Sequence, residues 1–233
     1  MRPSVFFGSK IHPMKFLLSI LLVACVATLA QTASRARRLT ATPEHFRWSE
    51  QLAHELSYKH TVRNARDLTL PEKDAIIEFI SHQMVPDGDT EGLSGDMTER
   101  QIRVYAESVR VELVDLKGDG TRAVLAQAPE IPLCSATGNC SFWVFEFAGG
   151  RMRVILDDGK FGNGYEKVIV RPWSTNGYRD IVLGAHVSAD ERALDVYQYR
   201  HGVYRVSACY GTTMIGDQGQ WLDRPSVFPR KCE

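Results

Sequence analysis

Asp115-Leu116-Lys117-Gly118-Asp119-Gly120-Thr121-Arg122-Ala123-Val124-Leu125 is the stretch from which the fold can be read, because a weaker version of it returns about sixty residues later. It is a turn followed by an apolar run. It continues to Phe142-Trp143-Val144-Phe145-Glu146-Phe147 and, after Gly149-Gly150, to Arg151-Met152-Arg153-Val154-Ile155-Leu156. The second version reads Asn176-Gly177-Tyr178-Arg179-Asp180-Ile181-Val182-Leu183, then Leu194-Asp195-Val196-Tyr197-Gln198-Tyr199, then Gly202-Val203-Tyr204-Arg205-Val206. In both, a strand with alternating aromatics meets a tight glycine turn and returns with Arg-Val. Aromatic and β-branched residues fill a buried sheet face, and glycine supplies the positive φ of the turn.

Working outward, the period-2 pattern begins at Val109-Arg110-Val111-Glu112-Leu113, where odd positions are apolar and even ones charged. It predicts strands at 121–127, 141–147, 151–157, 166–170, 179–187, 193–200 and 203–210, joined by turn residues. Upstream the period is helical. Thr42-Pro43-Glu44 reads as a helix start, and Trp48, Leu52 and Leu56 form a stripe to about His60. Thr69-Leu70-Pro71-Glu72 is a capping box, and Ile76, Ile80 and Met84 make the apolar face of a second helix stopped at Pro86-Asp87-Gly88. The expected fold is α+β: two N-terminal helices (42–86) on a mainly antiparallel β domain (98–233). That domain has two similar units at about 109–157 and 166–210, a tail at 211–233, and no closed propeller.

Residues 1–30 read as a secretory signal. Arg2, Lys10 and Lys15 precede the apolar run Phe16–Leu29, and no acidic residue occurs before Glu44. Met14 is an alternative start. Small residues at Thr28 and Ala30 suit cleavage before Gln31, while Leu22-Val23-Ala24-Cys25 suits lipidation at Cys25, the one route by which a membrane would be a partner. Residues 31–41 read as an unpatterned tether. Either route exports the chain, to the periplasm or outside the cell. Without residues 1–30 the chain carries 25 basic and 28 acidic residues, a net charge of −3, with no basic block to hold nucleic acid. Four cysteines remain: Cys134, Cys140, Cys209 and Cys232. An even number in an exported chain reads as disulfides, of which three connectivities are possible. Cys134 and Cys140 flank a flexible turn, and a bond from Cys209 to Cys232 would tie down the C-terminus.

Asp115-x-Lys117-x-Asp119-Gly120 is the sharpest local signal. Calcium loops place oxygens at alternate positions and glycine at the sixth; Asp115, Asp119 and Gly120 fit that frame. Lys117 stands at a ligand position and Ala126 at the twelfth, which favours a hairpin turn whose Asp accepts from its own backbone. No cofactor is expected, and calcium at Asp115 and Asp119 is the alternative. The pattern Asp-Leu-x-Gly-Asp-Gly before an apolar strand resembles the blades of FG-GAP (integrin-type) β-propeller repeats, over residues 115–125 and more loosely 174–183. The resemblance implies a calcium role for the same two aspartates. The longer pattern of Gly-Asp-Gly turn, Cys-x5-Cys, Trp-Val-Phe and Gly-Gly hairpin also resembles uncharacterised exported bacterial proteins and implies no activity.

No catalytic set is legible. The histidines lack a His-Glu-x-x-His spacing, the serines a Gly-x-Ser-x-Gly elbow, and no phosphate-cradling glycine loop leads into a helix. Trp173, Tyr178, Tyr197, Tyr199 and Tyr204 concentrate in the second unit and suggest an outer-face platform for a protein or glycan partner. The expected function is an exported non-enzymatic binding domain. The alternatives are a hydrolase whose carboxylates, among them Asp157, Asp158, Asp190 and Glu191, converge only in three dimensions, or an inhibitor of a cell-wall enzyme.

Overall fold

The computed structural model describes residues 54–85, 97–158, 164–216 and 218–232. The expected signal, tether, first helix start and the loop at 87–96 lie outside the described residues. The described chain contains two helices and eleven strands. In chain order these are β1 (His54–Glu55), β2 (His60–Thr61), α1 (Leu70–Met84), α2 (Glu99–Ser108), β3 (Arg110–Asp115), β4 (Arg122–Gln127) and β5 (Phe142–Ala148). There follow β6 (Arg151–Asp158), β7 (Lys167–Thr175), β8 (Tyr178–His186), β9 (Glu191–Arg200), β10 (Val203–Ile215) and β11 (Trp221–Arg230).

The strands form two open antiparallel sheets. The five-stranded sheet has the order β2-β3-β4-β5-β6 and the six-stranded sheet β1-β7-β8-β9-β10-β11. Each is built around a four-strand meander, β3 to β6 in one and β7 to β10 in the other. Three of the hairpins turn on a pair of residues with positive φ: Gly149-Gly150, Asn176-Gly177 and His201-Gly202. Two-residue turns of that kind match the right-handed twist of the strands they join.

The first helix does not run to His60 as expected, because His54–Glu55 pair with β7 and His60–Thr61 with β3. Pairing with strands far along the chain overrides the i, i+4 spacing that Leu56 completes, and Leu56 is buried in the core between the sheets. The helix expected from Thr69 is α1. Its Thr69 side chain accepts from the Glu72 amide while the Glu72 carboxylate accepts from the Thr69 amide. It ends where Val85 turns extended ahead of Pro86, the conformation a residue before proline favours. α2 was not expected. A second capping box, Thr98 with Gln101, starts it, and it buries Ile102, Tyr105 and Ala106.

All of these elements belong to one compact unit, Trp48–Glu233, with two apolar cores. One face of the five-stranded sheet presents Val111, Val124, Ala126, Trp143 and Phe145 to Ile76, Ile77, Ile80 and Met84 of α1 and to α2. Phe79 meets Phe145 edge-on, ring centres 5.4 Å apart. The other face presents Val114, Leu125, Phe142, Val144 and Ile155 to Val168, Val170, Ile181, Leu183 and Tyr197 of the six-stranded sheet. The order is thus helices, five-stranded sheet, six-stranded sheet. Buried on both faces, β5 is the centre of the fold; truncating a fully buried aromatic such as Trp143 costs ~3–5 kcal/mol.

The disulfides are Cys134–Cys140, closing the β4–β5 loop, and Cys209–Cys232, fastening the chain end to β10. The stretch expected to be a tail carries β11, which pairs with β10 from Cys209 to Ile215.

Candidate functional site

The Asp115 turn comes first, since it carried the calcium expectation. Asp115 Oδ1 accepts the amides of Lys117 (3.1 Å) and Gly118 (2.6 Å), and Oδ2 accepts that of Gly120 (2.9 Å). Those backbone donors, the Gly120 amide foremost, hold its carboxyl below the ordinary value. Asp119 accepts the Thr121 amide at 2.8 Å. Both carboxylates thus serve the turn's own amides, and Gly118 and Gly120 take the positive φ it needs. Among the described residues no group of three or more His, Cys, Asp or Glu is placed to hold a metal ion.

Lys117, the residue that broke the calcium pattern, reaches inward. Its Nζ lies 3.0 Å from Glu146 Oε1 and 5.0 Å from the centre of the Tyr178 ring. The Glu146 side chain, 9% exposed, also pairs with Arg153 and accepts from Tyr178 OH at 2.8 Å. Burial alone would raise its carboxyl, but the donors Arg153, Lys117 and Tyr178 outweigh burial and hold it below the ordinary value. Arg153 also donates to Tyr199 OH at 3.0 Å, and Tyr199 stacks on Tyr178 with ring centres 3.6 Å apart. Tyr204 meets both rings edge-on and donates to the Arg179 carbonyl at 2.7 Å. Glu146, Arg153 and Lys117 belong to the five-stranded sheet and its turn, the tyrosines to the other sheet. The cluster is a polar clamp between sheets.

The aromatic platform is corrected accordingly. Tyr178, Tyr197 and Tyr204 are buried and Tyr199 is half-buried, all directed between the sheets. Period 2 puts Tyr197 and Tyr199 on one face, and that face is the inner one. Trp173 alone of the five is exposed, at 45%, with the Arg171 guanidinium 4.7 Å from its ring centre.

A cleft of about 1010 Å³ opens between β6 on one side and β9 and β10 on the other. Its polar lining includes Asp157, Asp158, Tyr165, His186, Asp195, Tyr197, Arg205 and Arg230. Asp158 Oδ2 accepts from Tyr165 OH at 2.8 Å and from Tyr197 OH, and the two phenols lie 2.9 Å apart. Burial first raises both phenols far above their ordinary value, followed by Tyr197 and then Asp158 for Tyr165 and by Asp158 for Tyr197, so both remain donors. Across the cleft Asp195 pairs with Arg230 at 2.7 Å. Burial raises its carboxyl, Arg230 pulls it back, and Asp158 pushes it up again. The charge of Asp158 thus bears on the Asp195 carboxyl.

One end of the cleft is pinned by the small disulfide loop. The Asn139 side chain donates to the His186 carbonyl at 2.9 Å and accepts from its amide at 2.8 Å, as a paired strand residue would. Cys140 and Tyr165 exchange both main-chain hydrogen bonds, at 3.1 and 2.7 Å. His186 Nε2 stands 2.8 Å from Glu166, which also meets Arg192 at 3.2 Å.

Of the four carboxylates named from sequence, Asp157 and Asp158 line the cleft. Asp190 accepts from Ser188 in the β8–β9 turn, and neither it nor Glu191 lines the cleft. Sequence reasoning missed Asp195, Tyr165 and Arg230. They stand far apart in the chain: the pairing of β9 with β10 and of β10 with β11 brings Asp195 to Arg230, and the Cys140–Tyr165 bridge places Tyr165.

Compared with known proteins, the chain matches no protein-family model, no curated protein and no solved structure.

Proposed function

We propose that the protein is an exported binding domain that takes a polar ligand in the cleft between β6 and β9–β10. The observation that carries this reading is Asp158, held as an acceptor by the phenols of Tyr165 and Tyr197 before any ligand arrives. A carboxylate whose donors are fixed in advance loses little orientational freedom on binding, which favours recognition of a ligand rich in donors. Export is supported by the two disulfides, which persist in oxidising compartments. The two meanders, with the same glycine hairpin after β5 and β9, support the reading of two similar units. Titrating nitrogen-15-labelled protein with chitotriose, a neutral donor-rich glycan, and spermidine, a cation, tests the cleft. Resonances around Tyr165, Tyr197 and His186 are expected to move with one of these, and Asp158→Asn to reduce the response. Silence from both, in wild type and variant alike, counts against small polar ligands.

A second reading, hydrolysis, is favoured by one observation: Asp158 and Asp195 share the cleft, and burial keeps the Asp195 carboxyl protonated to higher pH than an ordinary one. Turnover of 4-nitrophenyl glycosides, lost in Asp195→Asn, would establish it. No turnover of any of them leaves binding as the function of the cleft.

A further inference from the structure

We propose that the ligand of this cleft is an extended peptide segment, added as a strand along β6 and reaching across to the unpaired part of β10. This deepens the reading of the cleft as a ligand site and rests on it.

The first observation is topological. β6 ends the five-stranded sheet: among the described residues it pairs with β5 on one side and with no strand on the other. β10 forms the facing wall from Val203, yet β11 joins it only from Cys209 onward. From Val203 to Ala208 the strand is paired on its β9 side alone. Two incomplete edges therefore bound one space.

The second observation is which residues face that space. Val154, Ile155, Leu156, Asp157 and Asp158 line it consecutively, and so do Val203, Tyr204, Arg205 and Val206. A sheet face presents every second residue, because side chains alternate. The run on β6 carries a bulge, Ile155 standing between the Val144–Leu156 and Phe145–Val154 pairs, and at such an edge main-chain N–H and C=O groups point outward in the plane of the sheet. A peptide main chain repeats donors and acceptors at the spacing of such an edge and completes its ladder. A glycan carries hydroxyls but no such regular row.

Charge selects among peptides. Arg230 is already engaged by Asp195, while Asp157 and Asp158 close the C-terminal end of β6. Asp158 accepts both phenols through Oδ2 and keeps its negative charge in the cleft lining, the complement of a basic side chain. The segment that fits is extended, with apolar residues to meet Val154 on one face of β6 and Leu156 on the other, and carries a lysine or arginine for Asp158.

The test is selection of random heptapeptides displayed on phage against the immobilised full chain, followed by synthesis of the best binder. Its backbone amides are then N-methylated one at a time. Methylation at every second position is expected to weaken binding at least tenfold, and at the intervening positions to change it little. Replacing the basic residue should weaken binding to the wild type but not to Asp158→Asn. Selection of no peptide above background overturns the proposal, as does equal tolerance of N-methylation along the whole peptide. The chitotriose and spermidine titrations separate the two levels of inference. A response to either at Tyr165 and Tyr197, with no peptide selected, removes the strand and keeps the cleft. Silence of all three probes removes both.

Discussion

Replacing Glu146 by glutamine isolates the charge of the clamp between the sheets. The amide keeps the size of the carboxylate and a neutral acceptor for Tyr178 and Lys117, but it turns an NH2 group towards Arg153. A hydrogen bond to an ionised partner contributes ~1.5–3 kcal/mol and a neutral one ~0.5–1.5, so each cation loses about 1 kcal/mol. Lys117 and Arg153 retain 29% and 50% of their side-chain exposure, so water takes over part of each interaction and the loss stays near that figure. The sum is about 2 kcal/mol, which for a domain of this size lowers Tm by roughly 4–8 °C. The pH dependence has a fixed sign. The folded-state carboxyl lies below its ordinary 4.5, so its contribution is complete above that pH and disappears as pH falls through the lower, folded value. Urea unfolding of wild type and Glu146→Gln should give well-separated midpoints at neutral pH that converge in acid. Equal midpoints at neutral pH, or a gap that acid leaves unchanged, would refute the clamp.

Paired removal of Cys209 and Cys232 as alanines frees a loop of sequence separation 23 and should cost about 3 kcal/mol in chemical unfolding; unchanged stability would mean that β11 is held without its bond. Mass spectrometry before and after reduction should count four oxidised cysteines, and free thiols would contradict the pairing. Gly164→Ala places a Cβ 2.2 Å from the Cys140 carbonyl carbon, so the Cys140–Tyr165 bridge must part. The expected loss is about 2 kcal/mol or more, with faster amide exchange at Cys140 and Tyr165; an unperturbed Tm and exchange pattern would contradict it. Millimolar calcium should leave Tm unchanged, since Asp115 and Asp119 already accept from the turn; a rise that disappears in Asp119→Ala would restore the metal reading.

The legible part of the fold was the part written in local chemistry. Period 2 and paired turn residues placed β4, β5, β6, β8 and β9 within one or two residues of their ends. The Thr69–Glu72 box placed α1. The same signal, Thr98 with Gln101, marks α2, but its position between an acidic glycine-rich stretch and a strand hides it. β11 was hidden by Pro225 and Pro229, which depress any strand reading. The error at 54–61 has the opposite origin: a helical spacing was present, and partners more than a hundred residues away for β1, and about fifty for β2, outweighed it. The site was the least legible. Asp158 was singled out only for its neighbour Asp157, whereas its working partners are Tyr165, Tyr197 and, through charge, Asp195. Those relations are made by strand order, which residue types do not encode.

The two prolines of β11 have a consequence for how copies of this chain meet. Register places Pro229 opposite Tyr210 and Ser226 opposite Thr213, so Pro225, Val227 and Pro229 share one phase of the strand. A proline persists in a sheet where its missing N–H would have pointed to solvent. Two of the three outward donor positions on this stretch are therefore blank. A second molecule laying its own strand there would find acceptors with almost nothing to answer them. The last strand thus seals its sheet against growth, as a terminator does in a polymer.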